Sequence, residues 1–144
     1  MKALTICNPY PELILRGLKR VENRTWYTSY RGPLLIHAGK SRKWLSLSED
    51  GTRDEEFDIA LSEMSFGAIV GIAHLDTCVP ISDIRNGHAD QEYPWLRLHE
   101  HCEGPWCWVL SGVRRFEPFP YKGAMGLFDV PMEVVDSLRE FDNG

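Results

Sequence analysis

The residues best suited to chemistry lie close together near the start of this 144-residue chain. Lys19, Glu22 and Arg24 place two positive charges and one negative charge within six positions. If the segment is extended, these side chains flank a pocket in which a partly desolvated lysine activates water or holds a phosphate, with Glu22 as general base. If it is helical, Lys19 and Glu22 form a simple ion pair. An ion-pair network that holds a helix against a sheet uses the same residues, so both interpretations stay open.

Aromatic side chains before and after this cluster offer faces on which a nucleic-acid base stacks. They are Tyr10, Trp26 and Tyr30. Proteins that bind single strands use such faces with little preference for sequence. Trp26 fits a hydrophobic core equally well, and the sequence does not separate the two roles.

A Gly-Lys-Ser triplet at Gly39, Lys40 and Ser41 invites comparison with a phosphate-binding P-loop. The full motif requires a glycine five positions before Gly39, and that position is Leu34. A P-loop nucleotide triphosphatase is therefore excluded. A simple phosphate contact by Lys40 remains open, as does one by Lys122 farther along the chain.

Histidine and cysteine residues are the remaining candidates for a metal site. His99, His101 and Cys102 lie within four positions, but no fourth ligand stands at a fitting spacing. The four cysteines include no C-x-x-C pair, which predicts reduced thiols rather than a zinc ribbon or a redox motif. We expect neither a metal nor a cofactor. His37 lies in an apolar run, which indicates a hydrogen-bonded core residue.

The net charge of −5 conceals a division between the two parts of the chain. Positions 1–43 hold nine basic and two acidic residues, whereas the rest holds seven basic and nineteen acidic residues. Such asymmetry indicates an anionic partner for the basic part. The acidic remainder argues against indiscriminate coating of nucleic acid, because that binding depends on neutralising phosphates.

The elements that must position these residues are short strands and helices in irregular order. Neither a signal h-region nor a membrane span is visible, so we expect a cytoplasmic protein without a membrane partner. The length fits one domain over 1–144. Asn8 is expected to cap a short helix that Gly17 ends. Without a βαβ rhythm, the pattern predicts a small mixed β-barrel of the α+β class flanked by short helices. Strands are expected at 2–7, 21–26, 34–38, 67–75 and 105–110, the last continued at 113–116. Further helices are expected at 40–47, 57–64 and 132–141, a solvated loop at 49–56 and irregular chain at 80–104.

The pattern Gly17-x-Lys19-x-x-Glu22-x-Arg24 resembles the start of the ASCH domain, a branch of the PUA-like superfamily. Three later segments extend the resemblance over about 3–130 and leave 131–144 as a C-terminal tail. They are the strand at 67–75, the segment Glu103-Gly104-Pro105-Trp106-Cys107-Trp108-Val109-Leu110, and Lys122-Gly123-x-x-Gly126-Leu127-Phe128.

The resemblance implies a PUA-like barrel with a cleft between barrel and first helix, and a domain that binds RNA, single-stranded nucleic acid or a nucleoside or nucleotide, modified or not. We expect a confined basic cleft, with the ligand-binding residues Tyr10, Lys19, Glu22, Arg24, Trp26, Lys40, Ser41 and Lys122. The oligomeric state is not indicated.

Two other functions stay open. The first is a hydrolase that acts on a modified nucleoside or on RNA, with Lys19 and Glu22 as catalytic residues. The family's amidohydrolase branch has a nucleophilic threonine at the position of Glu22, so that mechanism does not carry over. The second is an adaptor for protein interactions, since some relatives belong to transcription cointegrators.

Overall fold

A curled mixed sheet of six strands forms the centre of the computed structural model, which describes residues 1–141. Together with a few short helices it gives the predicted α+β half-barrel of PUA-like type. The order across the sheet is β2, β7, β6, β3, β1, β8. Its strands are β1 (Lys2–Ile6), β2 (Val21–Arg24), β3 (Gly32–Ala38), β6 (Ala68–Pro80), β7 (Trp106–Pro120) and β8 (Leu127–Asp129). The short hairpin β4 (Arg53–Asp54) and β5 (Ile59–Ala60) forms a second sheet. Helices are α1 (Tyr10–Leu15), α2 (Ile81–Arg85) and α3 (Met132–Val135), with 3-10 turns at Leu61–Glu63 and Leu96–Leu98.

The long antiparallel pair β6 and β7 contributes ten of the 25 buried hydrophobic residues of the described chain. Both strands are rich in β-branched and aromatic residues, which suits a pleated and largely buried surface. Trp108 is fully buried within the main cluster. The register shifts at three places between the strands, and such irregularities increase the local twist, as a curled sheet requires.

The pairings of β1 and β2, which stand fifth and first in the sheet order, set the neighbours of Thr5 and Glu22. β1 runs parallel to β3, so that Thr5 lies opposite His37. β2 is an edge strand that pairs only with β7 among the described strands, and Glu22 lies opposite Trp108. The predicted core role of His37 is confirmed: it is buried, with Nδ1 3.1 Å from Thr5 Oγ1 and Nε2 2.6 Å from the carbonyl oxygen of Tyr121.

Helix α1 ends as predicted at Gly17, whose φ of +77° suits glycine. The amides of Leu18 and Lys19 then both donate to the carbonyl oxygen of Leu13, at 3.0 and 3.1 Å. The predicted cap is wrong, because the Asn8 side chain makes no capping bond. Instead its Nδ2 donates to the carbonyl oxygens of Gly39 and Ser65, which ties the helix entry to two later loops.

Two predicted helices are absent from the described chain. The stretch 40–47 forms turns, because Leu47 pairs with Asp54 and the Glu55 amide donates to the carbonyl oxygen of Ser46. The stretch 57–64 forms β5 and a 3-10 turn instead. The predicted loop at 49–56 contains β4, where the carboxylate of the fully buried Asp54 accepts hydrogen bonds from the amides of Ser46 and Phe57.

The remaining elements differ from expectation mainly in length. Strand β6 continues five residues beyond Leu75, and β7 runs unbroken to Pro120. The stretch 80–104 includes α2 and a 3-10 turn, whereas the expected last helix is only α3. Positions 142–144 of the predicted tail lie outside the described residues. Within 1–141, no helix is long and apolar enough to cross a membrane.

Candidate functional site

Lys19 lies in the turn between α1 and β2 and points inward. Only 3% of the residue is exposed. Its Nζ lies 3.7 Å from Glu22 Oε1 and 5.3 Å from the centre of the Tyr10 ring, a cation–π distance. The turn bonds at the end of α1 thus bring an ammonium group, a carboxylate and an aromatic face together.

Arg24 holds the other oxygen of the same carboxylate. Its Nε and Nη2 donate to Glu22 Oε2 at 3.1 and 2.8 Å, and Nη2 also donates to the carbonyl oxygen of Thr5 at 2.8 Å. Glu22 and Arg24 alternate by two along β2, so their side chains lie on the same face. Arg24 therefore fixes the position of Glu22 and links β2 to β1.

Burial dominates the electrostatics of Lys19. It lowers the pKa of the ammonium group, because the charged form loses hydration, and the neighbouring Glu22 carboxylate offsets part of this effect. Every buried side-chain nitrogen or oxygen in the described part of the chain has a hydrogen-bond partner. Lys19 Nζ and Glu22 Oε1 lie 3.7 Å apart, an ion-pair distance longer than an ordinary hydrogen bond, and both residues line the adjoining cavity.

That cavity has a volume of about 460 Å³, a size typical of small-molecule sites. Four aromatic side chains contribute to its wall, namely Tyr10, Trp26, Trp44 and Phe57. The rest of the lining is Thr5, Ile6, Cys7, Lys19, Glu22, Asn23, Arg24, Thr25, Glu56, His101 and Glu103.

The lining carries charges of both signs. Lys19 and Arg24 are positive, whereas Glu22, Glu56 and Glu103 are negative. The cleft that the sequence led us to expect as basic is therefore mixed in charge, with its two basic groups already beside a carboxylate.

Five of the predicted ligand-binding residues meet at this cavity: Tyr10, Lys19, Glu22, Arg24 and Trp26. The ring of Trp26 also packs edge-on against Trp108 at 4.8 Å, as the predicted core role requires.

Three predicted residues lie outside the lining. Lys40 is exposed, and its stem packs against Gly67. Ser41 is exposed and its Oγ accepts a hydrogen bond from the Lys43 amide, while Lys122 is exposed on the approach to β8.

Asn23 is a residue that sequence reasoning missed. Its Nδ2 donates to the carbonyl oxygen of His101 at 2.8 Å, and its Oδ1 accepts from the amides of Glu103 at 3.0 Å and Gly104 at 2.8 Å. The side chain thereby holds the loop that brings His101 and Glu103 to the cavity wall. Its position between Glu22 and Arg24 was the available signal. For Trp44 and Phe57, which reach the cavity from distant loops, the local sequence offered none.

Within the cluster His99, His101 and Cys102, the two histidine rings pack edge to face with 5.6 Å between their centres. His99 Nε2 accepts a hydrogen bond from the Arg20 amide at 3.0 Å, so the ring is the neutral Nδ1 tautomer. His101 lines the cavity, and Cys102 packs in the cluster that contains Cys107. Burial lowers the pKa of both imidazoles. Among residues 1–141, no three His, Cys, Asp or Glu side chains converge in a metal-binding arrangement.

Comparison with known proteins identifies relatives over nearly the whole chain. The family model described as the ASCH domain matches residues 4–120. Human activating signal cointegrator 1 is 51% identical over 146 residues, an alignment that covers 95% of this chain and 23% of that protein. The mouse protein of the same name is 49% identical over 39 residues, covering 27% of this chain and 7% of that protein. The chain thus spans less than a quarter of the length of these relatives.

Solved structures agree on the fold. A crystal structure of ASCH from Zymomonas mobilis aligns with a TM-score of 0.52 at 12% identity, covering 94% of this chain and 90% of that chain. A mutant of the same protein gives a TM-score of 0.56 at 12% identity, covering 95% and 97%. At this identity the likeness concerns the fold alone.

Proposed function

Because the chain belongs to the ASCH domain family, a PUA-like family generally thought to bind RNA, we propose that it binds RNA through a nucleotide, modified or not, in the cavity at the end of α1. The observation that carries this proposal is the ion pair of Lys19 Nζ and Glu22 Oε1, formed by two largely buried residues that both line the cavity. One is a hydrogen-bond donor and the other an acceptor, as the edge of a base requires.

The aromatic lining supports a base as the bound group. Tyr10 and Phe57 pack edge to face at 6.0 Å, and Trp26 is held by Trp108. These contacts fix the rings before a ligand arrives, which reduces the entropy that binding costs. Stacking of one base on such a ring contributes about 1–3 kcal/mol.

Substitution of the two polar groups tests the proposal. Lys19→Met and Glu22→Gln nearly keep the side-chain volume. The first removes a positively charged hydrogen-bond donor, and the second replaces a negatively charged acceptor with a neutral amide. We expect each to weaken binding of short RNAs about 10- to 100-fold, the effect of losing a hydrogen bond to a charged group. Titration calorimetry measures the affinity, and circular dichroism checks the fold.

Lys122→Met and Lys40→Met are matched controls, because these exposed lysines lie outside the cavity lining. Equal losses in these controls and in Lys19→Met would show that the cavity does not define the binding site.

A hydrolase acting on a modified nucleoside or on RNA is the second candidate. The observation in its favour is that burial lowers the pKa of Lys19 beside a carboxylate with a free oxygen, which suits proton transfer at Lys19 or Glu22. A panel of acylated nucleosides and short RNAs separates the two functions. Turnover by the wild type that is lost in Lys19→Met and Glu22→Gln supports the enzyme, whereas binding without turnover supports the binding domain.

An adaptor for protein interactions is the third candidate. It draws on the name of the human relative, a cointegrator, of which this chain spans 23%. Absence of RNA and nucleoside binding at low and at physiological salt would favour it over the other two.

A further inference from the structure

Two exposed aromatic residues, one in the cavity wall and one next in sequence to a wall residue, each have a cation over the ring. Tyr27 is 50% exposed, with Arg31 Cζ 5.8 Å from the ring centre. Trp44 is 54% exposed, with Lys43 Nζ 5.4 Å from the ring centre. We call these two pairs, Tyr27 with Arg31 and Trp44 with Lys43, the rim platforms.

Each rim platform is connected to the cavity wall through one of its residues or a sequence neighbour. Trp44 itself contributes to the cavity wall, and Tyr27 directly follows Trp26, which does so too. The Tyr27 ring also packs at 5.1 Å against Trp106, the residue paired with Arg24 across β2 and β7.

The platforms are partly preorganised. Nη1 of Arg31 donates to the carbonyl oxygens of Thr28 and Tyr30 at 2.7 and 2.8 Å, which holds the guanidinium in place and leaves its other donors for a ligand.

Charge divides the cavity from its rim. Inside, the three carboxylates outnumber the two bases, and Lys19 and Arg24 already face Glu22. A phosphate placed there meets net negative charge at low dielectric, which is unfavourable. At the rim, Arg31 and Lys43 are exposed and lie over aromatic rings. The site therefore favours a base inside and phosphodiester groups outside.

We propose that the ligand is a single strand of nucleic acid that inserts one base into the cavity and stacks its neighbouring bases on Tyr27 and Trp44. Arg31 and Lys43 contact the phosphates that connect these three nucleotides. This inference rests on the proposed function, and it selects a strand of at least three nucleotides over a free nucleotide.

The test compares ligands of increasing length by titration. The probes are the four ribonucleosides, their 5′-monophosphates and a random pool of pentaribonucleotides. We expect a 5′-phosphate to add less than about twofold to the affinity of a nucleoside. The pentamers should bind at least about tenfold tighter than any monophosphate, as stacking of further bases adds affinity.

Substitutions in the rim platforms test whether these residues cause the higher affinity of the pentamers. Tyr27→Ala should weaken pentamer binding about 5-fold or more and change monophosphate binding by less than about twofold, whereas Tyr27→Phe should retain affinity because the ring remains. Arg31→Gln and Lys43→Gln should each make the salt dependence shallower by about 0.7 in log–log slope, one phosphate's share on a single strand. Met125→Ala, at a position 98% exposed and outside the cavity lining, is the control.

The outcomes distinguish this inference from the proposed function. Nucleosides that bind without a gain for pentamers, or equal losses in Tyr27→Ala and Tyr27→Phe, would overturn the strand inference alone. No binding of any probe would overturn both proposals. A matching deoxyribonucleotide pool shows whether RNA or DNA supplies the strand.

Discussion

At the scale of single residues, Glu22 has two different ion pairs. Its Oε2 accepts two hydrogen bonds from Arg24, whereas Oε1 lies 3.7 Å from Lys19. An ion-pair network that holds the fold and a site that binds a ligand are thus compatible at Glu22, because Oε2 contacts Arg24 and Oε1 faces Lys19. Arg24 positions the carboxylate, and Lys19 shares the cavity with it.

Asn23 gives a prediction at the same scale. Asn23→Ala should lower the free energy of unfolding by about 1–3 kcal/mol, because it removes the partner of two loop amides and one carbonyl oxygen. Urea unfolding measures the loss, and hydrogen exchange should be faster at the amides of Glu103 and Gly104. Asn86→Ala is a matched control with one local bond to the His88 amide. An equal effect in both variants would contradict the role of Asn23 in holding the loop.

At the scale of elements, α1 separates two cavities with different chemistry. Tyr10 faces the candidate site, whereas Glu12 lines a second cavity of about 400 Å³. Glu12 is buried and receives hydrogen bonds from Arg115 at 2.8 and 3.0 Å and from Arg16 at 3.0 Å. This network joins α1 to β7 and so fixes the helix that carries Tyr10.

The Glu12 network predicts how stability depends on pH. Burial alone would raise the pKa of Glu12, but hydrogen bonds from Arg115 and Arg16 outweigh it and hold the pKa below its usual value of 4.5. A carboxyl with a lowered pKa in the folded state contributes stability that is full above the unfolded pKa and is lost as pH falls through the folded pKa. Glu12→Gln should therefore cost about 2–4 kcal/mol at pH 7, and its difference from wild type should shrink below pH 4.5.

Urea unfolding of both proteins between pH 7 and pH 3 measures this difference. Glu63→Gln is the control, since Glu63 is about half exposed and its bond to Arg16 should contribute less than about 1 kcal/mol. A difference between wild type and Glu12→Gln that stays constant down to pH 3 would contradict the assignment.

At the scale of the whole molecule, the fold brings together residues from the basic part of the sequence, 1–43, and from the acidic part that follows it. Residues of 1–43 supply ten of the fifteen lining residues, of which only Lys19 and Arg24 are basic, and Glu56 and Glu103 from the acidic part add two carboxylates. Long-range attraction of a polyanion is weak on such a surface, and affinity depends on a few local contacts.

The salt dependence of RNA affinity tests this distribution of charge. With two or three phosphate contacts, the log–log slope of RNA affinity against salt should lie between about −1.4 and −2.1, at about −0.7 per phosphate on a single strand. Filter binding or fluorescence anisotropy from 50 to about 300 mM salt measures the slope. A value steeper than about −4 would indicate a broad basic surface and contradict a confined site.

Sequence patterns predicted correctly those elements that depend mainly on residues close to each other along the chain. Alternation and apolar runs identified β1, β3 and the core of β6, and Gly17 marked the end of α1 because its φ is positive. The helix expected at 57–64 was wrong because Ile59 and Ala60 pair with β4 and the Phe57 amide donates to Asp54, and these partners lie outside that window.

The sequence alone determined the family-identifying motif and, with the aromatic residues on either side of it, five residues of the cavity. They lie on one helix, one turn, one edge strand and the bend that follows this strand. Tertiary structure decided the rest. Trp44, Phe57, His101 and Glu103 reach the cavity from loops far along the chain, and Lys40, Ser41 and Lys122 stay outside it. The physical reason is that loop positions depend on long-range hydrogen bonds, such as those of Asn8 and Asn23, which no local pattern encodes.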